Sequence, residues 1–322
     1  MGRVMAPPYG AVARRDPGPT GPGPTPLPPS LGRREAGGMT TTLPLLVAYD
    51  GSADARRALI WTARESLRTG TPVRVLAVNE ILPPTWGGVG GMVVVTEGYV
   101  LDSSALLEEA EKTLADEGVT NAITEQRTGP VVSELLLAAE SASALVIGSQ
   151  GHGAAGEALI GSVSQHLARH ATCPVVVVRE PRDSAARRII VGIDGSRTSA
   201  AALEYACRRA ETTGETVVAI HGFHVRVPST DVWASTPRSV ETDERERLLS
   251  ESIAGVREDH PDVRLEQEVV AVAPERCLVD ASASASLVVV GSRGLGYFSG
   301  LLLGSVSQAV LHRATCPVAV VR

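Results

Sequence analysis

A glycine-rich motif that occurs twice constrains the fold of this chain more than any other feature. Both copies have the spacing Gly-x2-Gly-x9-Gly-Ser, the first over residues 148–162 and the second over residues 291–305. Each follows a short apolar run, residues 144–147 and residues 287–290, whose length and β-branched content are typical of a buried parallel strand. A glycine turn directly after a buried strand therefore occurs in each half, which predicts two domains of the same design.

The residues of this motif suit a phosphate group. Glycine has no Cβ, so the backbone can turn sharply and its N–H groups can approach an anion closely. Each copy ends in Gly-Ser-Val-Ser before a predicted helix, residues 163–170 and residues 306–312, and the free N–H groups at a helix start attract phosphate. The motif thus predicts a nucleotide site in each half. Helix capping by Ser162 and Ser305, and tight turns at the paired glycines, are the alternatives that involve no ligand.

Two further motifs recur in the same order in both halves. A strand-end sequence reads Val-Ala-Tyr-Asp-Gly-Ser at residues 47–52 and Val-Gly-Ile-Asp-Gly-Ser at residues 191–196. A closing sequence, Ala-Thr-Cys-Pro-Val, occurs at residues 171–175 and again at residues 314–318. All three motifs are repeated at an offset of 143 to 144 residues. In this combination the chain resembles the universal stress protein family, and more closely its ATP-binding, tandem two-domain members of the type found in actinobacteria.

The fold class follows from the alternation of strand and helix patterns that begins at residue 45. Strict alternation implies parallel sheets covered by helices on both faces and joined by right-handed crossovers. We therefore expect an α/β protein with two tandem doubly wound domains. The resemblance implies a five-stranded parallel sheet of order 3-2-1-4-5 in each domain. The expected boundaries are an N-terminal tail at residues 1–42, a first domain at residues 43–180 and a second domain at residues 187–322.

The N-terminal tail has the composition of a disordered segment. Its first 38 residues contain nine prolines and almost no hydrophobic periodicity, so they cannot bury enough surface to offset the entropy lost on ordering. The tail also lacks the apolar core of a signal peptide. Because Met39 stands a few residues before the first predicted strand, a translation start there instead of at Met1 is an alternative.

The candidate site lies where both special loops of a domain converge. In doubly wound sheets a ligand binds beyond the carboxyl ends of the strands, where the strand order reverses. The resemblance implies that an aspartate lies at the ribose and adenine side, that backbone groups at the end of strand 2 frame the base, and that the glycines and the Ser-Val-Ser run line the phosphates, with the serine hydroxyls as donors. The candidate ATP-binding residues of the first domain are Asp50, Val78, Gly148, Gly151, Gly161, Ser162, Val163 and Ser164. Those of the second domain are Asp194, Gly222, Gly291, Gly294, Gly304, Ser305, Val306 and Ser307.

Several of these residues also have an interpretation without a ligand. Asp50 and Asp194 can form Asx turns, and Ser52 and Ser196 can cap the helix that follows. Gly222 departs from the β-branched residue usual in the family at the end of strand 2, which affects the fit of an adenine there.

The resemblance implies a cytoplasmic regulatory module of the stress response that binds ATP, with or without Mg²⁺. Nucleotide occupancy would set its conformation or its choice of a protein partner, which the sequence does not identify. A slow ATPase or phosphotransferase that uses the same crevice is one alternative, and a ligand-free scaffold with vestigial loops is another. We assign no catalytic and no metal-binding residue, and we expect hydrolysis to be slow or absent.

Other functional classes do not fit the residues present. A P-loop requires Gly-x4-Gly-Lys followed by Ser or Thr, and the only lysine of the chain is Lys112, in an acidic helical segment. The glycine spacing at residues 291–296 differs from the dinucleotide-binding fingerprint and follows the fourth strand of its domain instead of the first. The four cysteines lack metal-ligand spacing and are expected to be reduced thiols.

Charge and hydropathy argue against nucleic acids and membranes as partners. The net charge is −6, and because residues 1–38 carry five arginines against two acids, residues 39–322 carry −9. An acidic body without a basic stripe is unsuited to nucleic acid. No apolar run approaches the roughly 20 residues that a membrane helix requires.

The last strand of each half predicts how the two domains associate. Residues 175–178 and 318–321 would each form an exposed apolar sheet edge, and such edges invite pairing. The resemblance implies that the domains pair through this strand, which would give an internal pseudo-dimer about a pseudo-two-fold axis. A homodimer of whole chains is a further alternative.

The two predicted sites differ where their loop side chains are free to vary. Gln150 of the first loop corresponds to Arg293 of the second. Arginine can make charge-assisted hydrogen bonds to phosphate that a neutral glutamine cannot, so the second site is expected to bind the triphosphate more tightly. An Arg293 side chain directed into solvent, or a poorer fit of adenine at Gly222, would cancel this difference.

Overall fold

The computed structural model of the chain describes residues 42–80, 103–151, 160–183, 185–224, 238–295 and 302–322, with the side chains of residues 238–241 excepted. The predicted tail, apart from residue 42, lies outside the described residues. All three predicted motifs of both halves lie within them, except for residues 152–159 of the first glycine motif and residues 296–301 of the second.

The predicted alternation of strands and helices is confirmed in both halves. The first half comprises β1 (Leu45–Ala48), α1 (Ala53–Thr69), β2 (Val73–Asn79), α2 (Ser104–Asp116), β3 (Ile123–Thr128), α3 (Val131–Ala139), β4 (Ala144–Gly148), α4 (Ser162–His170) and β5 (Val175–Val178). The second half comprises β6 (Arg188–Gly192), α5 (Arg197–Thr213), β7 (Thr216–Gly222), α6 (Arg238–Asp259), β8 (Leu265–Val270), α7 (Pro274–Ala281) with a 3-10 turn at Ser282–Ser284, β9 (Leu287–Gly291), α8 (Ser305–Arg313) and β10 (Val318–Val321).

The first helix of each half begins and ends at residues that the sequence marks. Ser52 and Ser196 each accept a hydrogen bond of 3.2 Å from the backbone N–H three residues further on, and so cap α1 and α5. Gly70 and Gly214 end these helices in the left-handed region, with φ of 70° and 65°, where a side chain would be strained. The capping role of the two serines is therefore confirmed.

The ten strands form one sheet in the order β3-β2-β1-β4-β5-β10-β9-β6-β7-β8. Each half is parallel and has the predicted order 3-2-1-4-5, because β1 pairs with both β2 and β4, and β6 pairs with both β7 and β9. The two halves join through β5 and β10, which pair antiparallel with Ala319 opposite Val176. The predicted internal pairing through the last strand of each half is thus confirmed, and it relates the halves by an approximate two-fold axis.

Both faces of the sheet carry a core that runs through the two halves. One apolar cluster combines residues of α4 and α8, such as Leu167 and Leu311, with the alternate strand residues that face them. The other cluster combines α1 and α5, through Leu59 and Leu203, with the opposite strand residues. Because β5 and β10 contribute to both clusters, the two domains share their cores at the junction. In the described part of the chain, no helix is both long and apolar enough to cross a membrane.

Candidate functional site

The aspartate turns after β1 and β6 have the same local geometry. Asp50 Oδ1 accepts the backbone N–H of Ser52 at 2.9 Å, and Asp194 Oδ1 accepts that of Ser196, also at 2.9 Å. Each turn continues through a glycine with φ of 80° or 84°, a conformation that favours glycine. These are Asx turns, so the ligand-independent interpretation of the two aspartates is confirmed as a local role.

The strand order brings each aspartate against the glycine loop of its own half. Asp194 Oδ2 accepts the backbone N–H of Leu295 at 3.1 Å, which ties the turn after β6 to the loop after β9. A Cβ at Gly151 would lie 3.0 Å from Asp50 Oδ2, and a Cβ at Gly294 would clash with Asp194 Oδ2. The middle glycine of the motif therefore provides the space in which the carboxylate meets the loop.

The first glycine of each motif is required by packing. A Cβ on Gly148 would lie 2.7 Å from the carbonyl carbon of Asp54, and one on Gly291 would lie 2.7 Å from that of Thr198. Both contacts are to the backbone in the first turn of a helix, α1 or α5, which cannot easily move. The sequence assigned these glycines to the phosphates, and the structure adds that each lets the first helix approach the end of the fourth strand.

The third glycine of each motif starts a helix and leaves space in front of it. Gly161 and Gly304 are the N-cap residues of α4 and α8, and neither helix has a side-chain cap. Ser162 and Ser305 are the first helical residues and are exposed, so the alternative that they cap these helices is wrong. A Cβ at either glycine would meet its nearest neighbour at 3.5 Å, an ordinary contact.

The second serine of each helix is engaged within the protein. Ser164 Oγ donates to the carbonyl of Gly148 at 2.8 Å, and Ser307 Oγ donates to that of Gly291 at 2.6 Å. Both serines are buried, and each fastens a helix start to a strand end. This geometry differs from the predicted donation of these hydroxyls to phosphate, a role that the exposed Ser162 and Ser305 can fill.

A cavity of about 460 Å³ lies at the carboxyl end of the sheet in the second half. Its volume is within the range of small-molecule sites. The eight candidate residues of the second domain all line it, together with ten others. The full lining is Gly192, Ile193, Asp194, Ser199, Ile220, Gly222, Pro274, Leu278, Val290, Gly291, Arg293, Gly294, Leu295, Leu303, Gly304, Ser305, Val306 and Ser307.

The apolar wall of this cavity includes residues that no sequence motif marks. Pro274 and Leu278 come from α7 and reach the cavity because this helix packs closely on the end of β7. A Cβ at Gly222 would lie 2.8 Å from the Cα of Pro274 and 2.7 Å from Cys277 Sγ, so only glycine permits this approach. The departure of Gly222 from the family pattern thus allows α7 to form the wall, whereas Val78 holds the same register in the first half.

The two glycine loops contact different side chains in the first turn of α1 and α5. Asp54 in the first turn of α1 accepts the backbone N–H of Gln150 at 2.9 Å and the hydroxyl of Ser149, and it pairs with Arg57. Thr198 has the corresponding place in α5, and its hydroxyl donates to the carbonyl of Arg293. The first loop therefore has a carboxylate against its backbone, and the second has a neutral hydroxyl.

The residues that follow β5 and β10 extend this contrast. Burial, partly countered by the nearby carboxylate of Asp54, lowers the pKa of Arg179. Burial and the nearby cation Arg293 both lower the pKa of Arg322, the equivalent residue of the second half. Arg293 is exposed and lines the cavity. The neighbourhood of the second loop is accordingly the more cationic.

Neither a metal centre nor a reactive thiol emerges from the described part of the chain. It contains no group of three or more His, Cys, Asp and Glu side chains placed to hold a metal ion. Its four cysteines are free and buried. Burial raises the pKa of Cys173 and Cys277 to about 11 and that of Cys207 and Cys316 to about 12, so all four remain thiols at neutral pH.

Comparison with known proteins gives one family for both halves. The profile of the Universal stress protein family matches residues 42–179 and 185–322. The chain is 37% identical over 287 residues to a universal stress protein of Mycolicibacterium smegmatis (strain ATCC 700084 / mc(2)155), with 86% of this chain and 96% of that protein covered. It is 35% identical over 293 residues to Universal stress protein Rv2005c of Mycobacterium tuberculosis (strain ATCC 25618 / H37Rv), with the same coverage of 86% and 96%.

The fold is similar to that of solved structures. A universal stress protein from Archaeoglobus fulgidus DSM 4304 aligns with a TM-score of 0.62 at 21% identity, covering 87% of this chain and 98% of that one. A putative universal stress protein from Pseudomonas aeruginosa UCBPP-PA14 aligns with a TM-score of 0.57 at 18% identity, covering 87% and 93%. At these identities the likeness concerns the fold.

Proposed function

The chain belongs to the universal stress protein family as a member with two tandem domains, and from this premise we propose that it is an ATP-binding regulatory module. One observation carries the proposal: the eight candidate residues of the second domain, seven from the repeated motifs and Gly222 from the family resemblance, line one cavity of about 460 Å³. These residues come from distant parts of the second half and converge at the carboxyl end of its sheet. We include in the proposal a cytoplasmic location, a role in the stress response and a protein partner that responds to the nucleotide-bound state.

The lining of the cavity divides into an apolar part and a part suited to an anion. Ile220, Leu278 and Val290 offer the apolar surface that an adenine ring requires. On the other side, the uncapped start of α8 carries free N–H groups and the positive end of the helix dipole. Ser305 and Arg293 stand beside it and can donate to phosphate oxygens. The geometry thus supports ATP with its base against α7 and its phosphates at α8.

Binding without efficient hydrolysis is the form of the proposal that the side chains favour. Asp194 is the one carboxylate among the described lining residues, and its two oxygens accept backbone N–H groups of Ser196 and Leu295. Asp194 is therefore engaged in holding the two loops together, and no second carboxylate of the described lining stands beside it to share the activation of a water molecule or the binding of a metal ion. Mg²⁺, where it accompanies ATP, would rely mainly on phosphate and water oxygens.

The proposal assigns the tighter site to the second domain. The carboxylate of Asp54 already accepts a loop N–H in the first domain, and its charge opposes phosphate, whereas Thr198 is neutral. The exposed Arg293 adds a positive charge beside the second loop. We therefore expect one ATP bound tightly in each chain and a second bound more weakly.

The small molecules released from the purified, denatured chain, together with a phosphate-release assay, test the proposal. ATP recovered intact and no phosphate release above the buffer rate are expected. ADP together with sustained release of phosphate would replace the proposal by the slow ATPase. If no nucleotide is recovered and added ATP produces no heat of binding, the ligand-free scaffold is the correct alternative.

A further inference from the structure

A buried ion pair joins the two halves where α1 and α5 contact each other. Arg209 donates from Nε to one oxygen of Glu65 at 2.6 Å and from a terminal nitrogen to the other oxygen at 3.0 Å. The side chains are only 4% and 6% exposed, respectively. Arg209 also donates to Glu215 of its own half, which is equally buried. Burial raises the pKa of the Glu215 carboxyl, but the charge of Arg209 and the hydrogen bonds from Ser286, Thr213 and Arg209 together outweigh it, so the pKa is lowered.

Glu65 and Arg209 hold the same position in their respective domains. They are 144 residues apart, the same offset that separates the two Asp-Gly-Ser motifs. Because β5 and β10 pair antiparallel, an approximate two-fold axis relates the halves, and a residue near this axis faces its own equivalent. At this position the residue and its equivalent carry opposite charges.

Apart from a neutral contact of 2.7 Å between Gln165 Nε2 and His312 Nε2, the following contacts of the junction do not distinguish one domain from the other. Arg179, after β5, donates to the carbonyls of His312 at 3.0 Å and Ala314 at 3.2 Å, at the end of α8. Arg322, after β10, donates in return to the carbonyl of Ala168 in α4 at 3.3 Å. The paired strands are Val-Val-Val-Val and Val-Ala-Val-Val. All these contacts could also form between a domain and a second copy of itself.

We propose that the Glu65–Arg209 pair is the feature by which the two domains select each other. If two first domains paired, two Glu65 carboxylates would face each other in a buried place, and two second domains would bring two Arg209 side chains together. Buried like charges lack the compensation that makes a buried ion pair tolerable, and specificity arises from such a repulsive alternative. The surface therefore fits the unlike domain of this chain and rejects a like domain of a second chain.

Charge reversal at one partner tests the pair. Glu65→Arg places two arginines face to face, and Arg209→Glu brings together three carboxylates, so each variant should melt about 10 °C below the parent chain. Arg64→Glu and Arg208→Glu are matched controls, since these neighbours are 60% and 64% exposed and also occupy equivalent positions. The controls should stay within a few degrees of the parent. If both interface variants melt at the same temperature as the controls, the proposal is overturned.

A variant in which the two domains exchange the charged residues of this network distinguishes recognition by charge from loss of a local contact. Thr71 holds the position in the first domain that Glu215 holds in the second. The chain with Glu65→Arg, Thr71→Glu, Arg209→Glu and Glu215→Thr carries the same network with the domains exchanged. It should regain most of the melting temperature lost in the single variants. A fourfold variant that melts no higher than the single variants would contradict the proposal.

Selectivity itself is measured by co-expressing chains that carry two different affinity tags. When a Glu65→Arg chain exchanges domains with an Arg209→Glu chain, both junctions of the complex pair one arginine with one glutamate. These two chains should therefore be recovered together as a 1:1 complex by tandem purification and native mass spectrometry. The unlike pair should be recovered in clear excess over two tagged copies of the parent chain or of one variant, whose co-recovery measures any association through other surfaces. Equal recovery of like and unlike pairs would overturn the proposal.

Discussion

Asp54 and Thr198 are single residues at equivalent positions, and they give two similar loops different electrostatic surroundings. Asp54 accepts the N–H of Gln150 at 2.9 Å and so neutralises a donor that an anion would otherwise attract. Thr198 donates to the carbonyl of Arg293 and adds no charge. This residue of the first helix in each half therefore contributes, together with Gln150 or Arg293, to how strongly each loop attracts an anion.

Exchanging these two residues should reduce the difference in ATP affinity between the two sites. Thr198→Asp adds a negative charge beside the second loop and should weaken ATP binding there about five-fold, which corresponds to about 1 kcal/mol for a partly exposed charge. Asp54→Thr is the reciprocal control and should strengthen the first site by a similar factor. Isothermal titration calorimetry of both variants measures the effect, and unchanged affinity in both would show that this position has no influence on the ligand.

At the scale of elements, serine hydroxyls connect α4 and α8 to the ends of β4 and β9. Ser307 donates to the carbonyl of Gly291 from a buried position. We expect Ser307→Ala to lower the free energy of unfolding by about 1 to 2 kcal/mol, because a buried carbonyl loses its partner. Ser305 is exposed and lies two residues earlier, so Ser305→Ala should leave the stability unchanged. Chemical denaturation of both variants provides the comparison, and equal stability would mean that water replaces the hydroxyl.

A histidine joins α6 to α5 and makes this contact sensitive to pH. His260 is 7% exposed and contacts Glu211 from Nδ1 at 2.6 Å and Glu204 from Nε2 at 3.0 Å. Burial opposes protonation, but the hydrogen bonds to the two carboxylates prevail and raise the pKa of His260. A raised folded-state pKa contributes stability that is fully present below the unfolded value of about 6.5 and is lost as the pH rises through the folded value.

The raised pKa of His260 in the folded state determines how the melting temperature depends on pH. Between slightly acidic and alkaline pH, the parent chain should lose the stability that protonated His260 contributes. This loss should be at most about 1 kcal/mol, because Glu204 and Glu211 are partly exposed. His260→Gln keeps a polar side chain but does not titrate, so its melting temperature should depend less on pH over the same range. Parallel pH profiles of the two proteins would contradict the assignment.

The elements also show which parts of the site can be predicted from a sequence. The Asx turns, the caps of α1 and α5 and the glycine loops are local, because neighbouring residues determine them, and the motifs identified them. The role of α7 is different, since Pro274 and Leu278 reach the cavity through the contact of this helix with Gly222. Such a wall depends on tertiary packing, which has no periodic signal in the sequence.

At the scale of the whole molecule, a nearly symmetric framework holds unequal charges. The strand order and the pairing of β5 with β10 were predicted from the family resemblance, and the apolar edges of the last strands were consistent with that pairing. Only the structure shows that Glu65 contacts Arg209 across the junction, and that Asp54 and Thr198 each contact the glycine loop of their own half. A repeat reveals equivalent positions, but only the packed molecule shows which of them face each other or face a ligand.

The central claim is that the cavity of the second domain, at the start of α8, is the main ATP site, and Gly304→Asp tests it most directly. Gly304 has extended backbone angles and room for a Cβ, and aspartate is a favourable N-cap, so the variant should melt at or slightly above the parent temperature. Its carboxylate would occupy the place of a phosphate oxygen. Gly161→Asp makes the same change in the first domain and is the matched control.

Isothermal titration calorimetry of ATP into the parent chain and these two variants gives the decisive comparison. We predict that Gly304→Asp weakens the tight site at least about ten-fold, because two negative charges would meet at the helix start, whereas Gly161→Asp leaves the tight site intact. Retention of the parent affinity by a folded Gly304→Asp chain would contradict the assignment of ATP to this cavity.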